Sequence, residues 1–119
     1  MIIKSLEGSA GFRAGDASFL RELLHPAKEP LDIGYSLAHA AVEPGAWTLP
    51  HRLAGAEVYY VLEGTGRMRV GDEEAPVAAG DAVYIPPGAL QSIGNTGPGR
   101  LSFLCIVDPA WRAADEEIL

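Results

Sequence analysis

Two stretches decide the fold of this chain: GAWTLPHRLAGAEVYYVLEG, residues 45–64, and GDAVYIPPGALQSIGN, residues 80–95. Both contain short runs of β-branched and aromatic residues, separated by the glycines and prolines that turns require. Such runs are too short for helices and too regularly interrupted for a disordered segment. The two stretches therefore predict consecutive short β-strands joined by tight turns.

The same pattern covers most of the chain. From Ile33 onward, apolar runs recur at a spacing of roughly 8–12 residues, which is typical of a sandwich or barrel. We predict strands near 33–42, 48–53, 57–63, 66–70, 74–78, 82–85, 91–95 and 101–107. Parallel strands would need crossover helices that the sequence lacks, so the predicted fold class is all-β, with an antiparallel barrel.

The two ends of the chain depart from this pattern. Asp16 precedes a run that stops at Pro26, and we predict one short N-terminal helix there, with apolar residues at helical spacing: Phe19, Leu20, Leu23 and Leu24. The segment Ile2-Ile3 is a candidate edge strand. The charged tail after Asp108 is expected to form a solvated cap over one end of the barrel.

Composition bounds the size and the partners of the protein. With 119 residues, 48% of them apolar, the chain is expected to form a single domain over 1–119, with its motif core at about 33–109. A net charge of −7 and the lack of a Lys/Arg cluster disfavour nucleic acid as a partner. We find neither a secretion signal nor an apolar run of ~18 residues, so we expect a cytoplasmic protein without membrane contact. The single cysteine, Cys105, excludes an internal disulfide and is expected to be inert and buried.

Polar residues in the two stretches are candidates for a site inside the barrel. Side chains alternate between the faces of a strand, so His51 and Leu53 share a face, while Glu57 and Gln91 come from other strands and can converge on the same point. Burying a carboxylate at Glu57, at the start of an apolar run, is costly without a cation or a hydrogen-bond donor. The sequence therefore indicates either a metal ion beside Glu57 or a polar network in which Glu57 pairs with His51 or Gln91.

The spacing of both stretches resembles the two motifs of the cupin superfamily. The first stretch, Gly45-x5-His51-x-Leu53-x3-Glu57-x6-Gly64, follows the cupin pattern G-x5-H-x-H-x3,4-E-x6-G. The second, Gly80-x5-Pro86-x-Gly88-x2-Gln91-x3-Asn95, follows G-x5-P-x-G-x2-H-x3-N. The resemblance implies a small single-domain cupin of the Cupin_2 kind, with a double-stranded β-helix or jelly-roll barrel. It also implies a homodimer, in which Ile2-Ile3 would pair with the sheet edge of a neighbouring subunit.

In this family the motifs direct three histidines and a glutamate at one metal ion. Here His51 and Glu57 are kept, whereas Leu53 and Gln91 stand where cupins have the second and third histidines. The resemblance implies one divalent ion (Zn, Ni, Mn or Fe) held by His51, Glu57 and Gln91, with positions left for water or substrate. His39 is a fourth candidate ligand if the odd-numbered face of its strand points inward; the alternative is a histidine hydrogen-bonded within the protein.

Three further residues are expected to face the interior. Tyr59 shares the parity of Glu57, so its hydroxyl is a candidate for orienting a ligand or for acting with Glu57 as a catalytic group; the alternative is a packed tyrosine with one satisfied hydroxyl. Leu53 and Met68 are predicted to line the ligand pocket.

Two classes of function fit these residues. The first is a small metalloenzyme of the isomerase, lyase or dioxygenase type, acting on a small organic or carbohydrate-like substrate. The second is a non-catalytic cupin that binds or senses a small ligand, which the replacements at Leu53 and Gln91 favour more than a complete histidine set would. Because one fold hosts many chemistries, the resemblance alone does not choose between the two.

Overall fold

Eleven β-strands account for nearly all the regular structure of the protein, and the computed structural model describes all 119 residues. The only helical segment is a single 3₁₀ turn over Ala113–Asp115, and no helix of a size to span a membrane is present. The strands are β1 Gly11–Arg13, β2 Phe19–Leu24, β3 Ser36–Val42, β4 His51–Leu53, β5 Ala56–Glu63, β6 Thr65–Val70, β7 Glu73–Ala78, β8 Ala82–Ile85, β9 Gln91–Asn95, β10 Leu101–Asp108 and β11 Glu116–Ile118. The strands predicted from the sequence correspond to β3 through β10.

The strands form two antiparallel sheets that face each other across the core. One sheet has the order β1-β2-β3-β10-β5-β8 and the other has the order β11-β4-β9-β6-β7. Alternate residues of the central strands fill the space between the sheets, among them Val61, Ile93, Leu101 and Phe103, which are almost fully excluded from solvent. The all-β, antiparallel jelly-roll prediction is therefore confirmed.

The predicted N-terminal helix is wrong, because Phe19–Leu24 forms strand β2 between β1 and β3. A β-bulge shifts the register to β3 between Glu22 and Leu24. A bulge sets an extra residue against the partner strand, which accounts for adjacent leucines that imitate helical spacing. Asp16 caps a turn instead of a helix: its Oδ1 accepts hydrogen bonds from the backbone nitrogen and the hydroxyl of Ser18.

The first and last residues of the chain also differ from expectation. Ile2 and Ile3 belong to no strand and are exposed, so they are not the predicted edge strand; Gly11–Arg13 takes that place. The homodimer implied by the resemblance stays a prediction. The tail after Asp108 is more than a solvated cap, because it returns to the second sheet as β11 and pairs with β4.

The glycines of the two motifs occupy backbone conformations that other residues adopt at a cost. Four of them have φ between +76° and +94°: Gly45, Gly64, Gly80 and Gly88. A side chain in this left-handed region meets its own backbone, so glycine is the residue that turns of this shape require. The spacing of the motif glycines therefore reflects the positions at which the chain must turn.

Two of the glycines provide a matched test of this account. A Cβ atom at Gly64 would lie 2.5 Å from the carbonyl oxygen of Arg100, whereas one at Gly71, which also has positive φ, meets nothing within 4 Å. We expect Gly71→Ala to lower the free energy of unfolding by about 1 kcal/mol. Gly64→Ala should lower it by roughly 3 kcal/mol or more, because strain and collision combine. Urea denaturation measures both, and equal losses would contradict the role assigned to the Arg100 contact.

Candidate functional site

A cavity of about 190 Å³ lies between the two sheets. Its apolar wall comes from β2, β3, β4 and β10, with Leu20, Ala38, Ala40, Leu53 and Phe103. Its polar groups include Asp16, His51, Glu57, Tyr59 and Glu116. An apolar cavity of about 150 Å³ holds benzene, so this space suits an organic ligand of single-ring size.

A chain of three buried side chains crosses the interior beside this cavity. The hydroxyl of Tyr59 donates a hydrogen bond to Oε1 of Gln91, and Nε2 of Gln91 donates one to Oε1 of Glu57, both at 2.9 Å. Glu57 and Tyr59 lie on the inward face of β5, and Gln91 begins β9 directly opposite His51 of β4. The side chains thus form the polar network that the sequence offered as the alternative to a metal ion, with Gln91 as its central member.

His51 presents one ring nitrogen to the cavity. Its Nδ1 lies 2.8 Å from the carbonyl oxygen of Leu49, which can only accept, so Nδ1 carries the proton of the neutral ring. Nε2 then holds a lone pair, and no hydrogen bond engages it; the nearest charged atom is Oδ2 of Asp16 at 3.8 Å. A buried imidazole with a free Nε2 beside a cavity is able to accept a proton from a ligand.

The pKa of Glu57 is strongly perturbed by its position in the cavity. Burial raises its pKa from 4.5 to about 8, the hydrogen bond from Gln91 opposes the rise, and the negative charges of Asp16 and Glu116 add to it. Burial and the charge of Glu57 also raise the pKa of Tyr59, and burial raises the pKa of the Cys105 thiol. At neutral pH, Glu57 therefore carries a proton, and Cys105 is a buried, protonated thiol.

The structure places two of the predicted site residues away from this cavity. Ala38 and Ala40 of β3 line the cavity, so His39 between them lies on the opposite face of the strand, opposite Arg21 and Leu104 of its neighbours. Burial and the nearby arginines lower the pKa of His39. Its inclusion among the metal ligands is thereby corrected. Met68 packs in the hydrophobic core and does not line the cavity, whereas Leu53 does.

The side chains do not form a metal site as they are arranged. No group of three His, Cys, Asp or Glu side chains has the geometry to hold a metal ion. The amide of Gln91 uses its oxygen to accept from Tyr59 and its nitrogen to donate to Glu57, and Leu53 offers no donor atom. The donor set therefore does not fit the divalent ion that the cupin resemblance implies.

Asp16 and Glu116 are site residues that the sequence did not reveal. Asp16 lies in the turn before β2, and Glu116 begins β11, opposite Leu53. Both lie outside the two motif stretches, and a carboxylate in such a position is most often solvated. No local signal marked them; only the pairing of β11 with β4 brings Glu116 to the cavity.

Comparisons with known proteins identify relatives and similar structures. Residues 38–107 match the family Cupin_2, described as a cupin domain. An uncharacterized protein of Methanocaldococcus jannaschii is 42% identical over 105 residues, which is 87% of this chain and 83% of that protein. The oxalate-binding protein of Thermotoga maritima is 34% identical over 71 residues, 59% of each chain. The crystal structure of a "predicted oxalate decarboxylase" of T. maritima has a TM-score of 0.80 and 25% identity, covering 91% of this chain and 99% of that one.

The raised pKa of Glu57 predicts how the free energy of unfolding depends on pH. Between pH 4.5 and about 8 the folded protein keeps a proton that the unfolded chain has released. The free energy of unfolding should therefore fall as the pH rises through this range, by up to about 5 kcal/mol. Glu57→Gln should flatten this decline, whereas Glu73→Gln, on the surface, should leave it unchanged. Urea denaturation across this pH range is the measurement, and a decline that persists in Glu57→Gln would contradict the assignment.

Proposed function

The chain belongs to the Cupin_2 family, and we propose that it is an enzyme of isomerase or lyase type that moves protons on a small organic molecule held in the barrel cavity. The observation that carries the proposal is that a proton acceptor, His51, and a protonated carboxyl group, Glu57, line the same cavity. Proton transfer by positioned side chains contributes typically 10²–10⁴-fold to a rate. Isomerisation and elimination need only such an acid and such a base, which is why these reaction types are favoured.

His51 is the proposed base. The bond from Nδ1 to the carbonyl of Leu49 fixes the ring and leaves the lone pair of Nε2 toward the cavity. When Nε2 accepts a proton, the ring becomes positive, and the carboxylate of Asp16 at 3.8 Å stabilises that charge. A carboxylate has no proton to donate to that lone pair, so the base stays available to a ligand.

Glu57 is the proposed acid. Its Oε1 accepts from Gln91, while no protein group hydrogen-bonds to Oε2, which leaves that oxygen for the ligand. Below pH 8 the carboxyl carries the proton that an acid must donate. Tyr59 spends its hydroxyl on Gln91, so we assign it a positioning role: it orients the amide that orients Glu57.

A non-catalytic ligand-binding cupin is the second candidate function. The same cavity would hold a small molecule, and the relative named an oxalate-binding protein supports binding as a function within the family. Leucine and glutamine at two of the usual histidine positions are compatible with binding alone. Catalytic turnover of a bound molecule would distinguish the enzyme from the ligand-binding protein.

The proposed enzyme activity can be tested without knowing the full reaction. Small ketones, hydroxy acids, sugars and their amino derivatives are incubated with the protein in ²H₂O, and loss of C–H signals is followed by proton NMR. We expect protein-dependent exchange in at least one compound, reduced about 100-fold or more by His51→Ala and by Glu57→Gln. Glu73→Gln is the surface control. A compound that binds without exchange in any of these proteins would favour the binding function instead.

The hydrogen bonds of Gln91 predict that the protein does not retain the divalent ion that the resemblance implies. Protein purified without added metal, then loaded separately with Zn²⁺, Ni²⁺, Mn²⁺ or Fe²⁺, is analysed for bound metal after dialysis. Because the amide of Gln91 is committed to Tyr59 and Glu57, we expect far less than one equivalent, unchanged by His51→Ala. One equivalent that disappears in both His51→Ala and Gln91→Ala would overturn this and support a divalent ion held by His51, Glu57 and Gln91.

A further inference from the structure

We propose that the ligand of this cavity carries an ammonium group, so that the protein selects a small organic cation over a carboxylate of the same size. The inference rests on the proposed function for the location of the site and goes beyond it in naming the chemical class of ligand.

The ionisable groups that line the cavity are predominantly acidic. Besides the buried Tyr59 and Cys105, they comprise four carboxyl groups, one lysine and one histidine, with no arginine: Asp16, Glu22, Glu57, Glu116, Lys28 and His51. The ammonium of Lys28 is paired with the carboxylate of Glu22. No lysine or arginine pairs with Asp16 or Glu116, so the cavity has two carboxylates without a cation. A carboxylate ligand would bring a third negative charge into this field, whereas an ammonium would supply the missing positive charge.

Contacts place these two carboxylates at the same part of the cavity. Both line the same cavity, and Oδ2 of Asp16 lies 3.8 Å from Nε2 of His51 on its wall. A Cβ atom built on Gly15, the neighbour of Asp16, would lie 3.3 Å from Oε1 of Glu116. The turn that holds Asp16 therefore packs directly against the strand that holds Glu116.

An aromatic side chain completes this end of the cavity. Nε1 of Trp111 donates a hydrogen bond to Oε2 of Glu116 at 3.3 Å, and the indole lines the cavity. Indole is the aromatic group that attracts cations most strongly. The backbone nitrogen of Trp111 donates to Oγ of Ser36, which ties the tail to β3 and holds the indole in place.

A second feature of the cavity, independent of the carboxylates, also suits a ligand. The side chain of His51 is 3% exposed, and its Nε2 has no hydrogen-bond partner in the protein. Nε2 is not a fully buried atom, so it is reached from the cavity, where a ligand can donate a hydrogen bond to its lone pair. An ammonium held by Asp16 and Glu116 would leave Nε2 free to act on the carbon framework of the ligand.

The test compares three probes that share a ring and differ in charge. Benzylamine, benzyl alcohol and benzoate are titrated into the ¹⁵N-labelled full chain at pH 7, with oxalate as a second anion, and dissociation constants come from shifts of the amide signals. We expect the benzylammonium ion to bind at least about tenfold more tightly than benzoate, with benzyl alcohol between them. Amide shifts should be concentrated around residues 14–18, 51–59 and 111–116.

Variants connect the preference to the two carboxylates. In Asp16→Asn combined with Glu116→Gln, the preference for the cation should shrink to about threefold or less. The single variant Glu116→Gln should give an intermediate preference, and it serves if the double variant is unstable. Glu73→Gln combined with Glu117→Gln removes the same number of exposed charges and should change nothing.

The outcomes separate this inference from the proposed function. Benzoate or oxalate binding as tightly as benzylammonium would overturn the choice of a cation and leave proton-transfer chemistry in the cavity untouched. A preference that survives in the double variant would also overturn it. Selective binding of the cation without any deuterium exchange would support the inference and contradict the enzyme proposal. Failure of all three ring probes to bind would overturn the cavity as the ligand site, and both proposals with it.

Discussion

A carboxyl group buried inside an apolar barrel is the constraint on which the rest of this interior depends. Glu57 is 6% exposed, and ionising it there costs a large share of the stability of a folded domain. The protein meets this cost by raising the pKa of Glu57 and by bonding one carboxyl oxygen to the amide of Gln91, which Tyr59 holds in turn. The strands β5 and β9, which lie in opposite sheets, must keep their positions for these atoms to meet.

Glutamine in this position changes the chemistry available to the barrel. A histidine at 91 would offer a nitrogen lone pair to a cation, whereas the amide of Gln91 offers a donor to Glu57 and an acceptor to Tyr59, and both are used. Leu53 extends the apolar wall where a second histidine would add another lone pair. The barrel therefore holds a hydrogen-bonded network that includes the protonated carboxyl group of Glu57, where other cupins hold a metal ion.

The two ends of the chain supply the part of the cavity that meets the ligand's charge. The N-terminal turn contributes Asp16, and the C-terminal tail contributes Trp111 and Glu116. His25, after β2, bonds to the carbonyl oxygen of Trp111 at 2.7 Å and so joins these two segments. The motif strands thus hold the proposed acid and base, while the segments outside the motifs hold the groups proposed to choose the ligand. Members of one family can keep the first set and vary the second.

The sequence by itself predicted eight of the eleven strands, the turns between them and three of the polar residues of the candidate site. Glycines and prolines at regular spacing predicted the boundaries of β3 to β10, because positive φ and a fixed φ are properties of those residues wherever they stand. The motif spacing placed His51, Glu57 and Gln91 on neighbouring strands, and the cost of burying Glu57 predicted that it must have a partner. Only the tertiary structure decided that this partner is Gln91, and that its amide is committed to hydrogen bonds.

Tertiary structure also decided every feature that depends on pairing between distant segments. Residues 19–24 have helical spacing, but the ladder to β3 and a bulge make them a strand. Both faces of β3 are largely apolar, so the alternation of side chains predicted which residues share a face but not which face lines the cavity. Packing placed the buried His39 on the face away from the cavity. Glu116 reaches the cavity only because β11 pairs with β4, more than 60 residues away in sequence. A local pattern records which residues share a face, whereas the free energy of burial against remote strands decides which face lies inside.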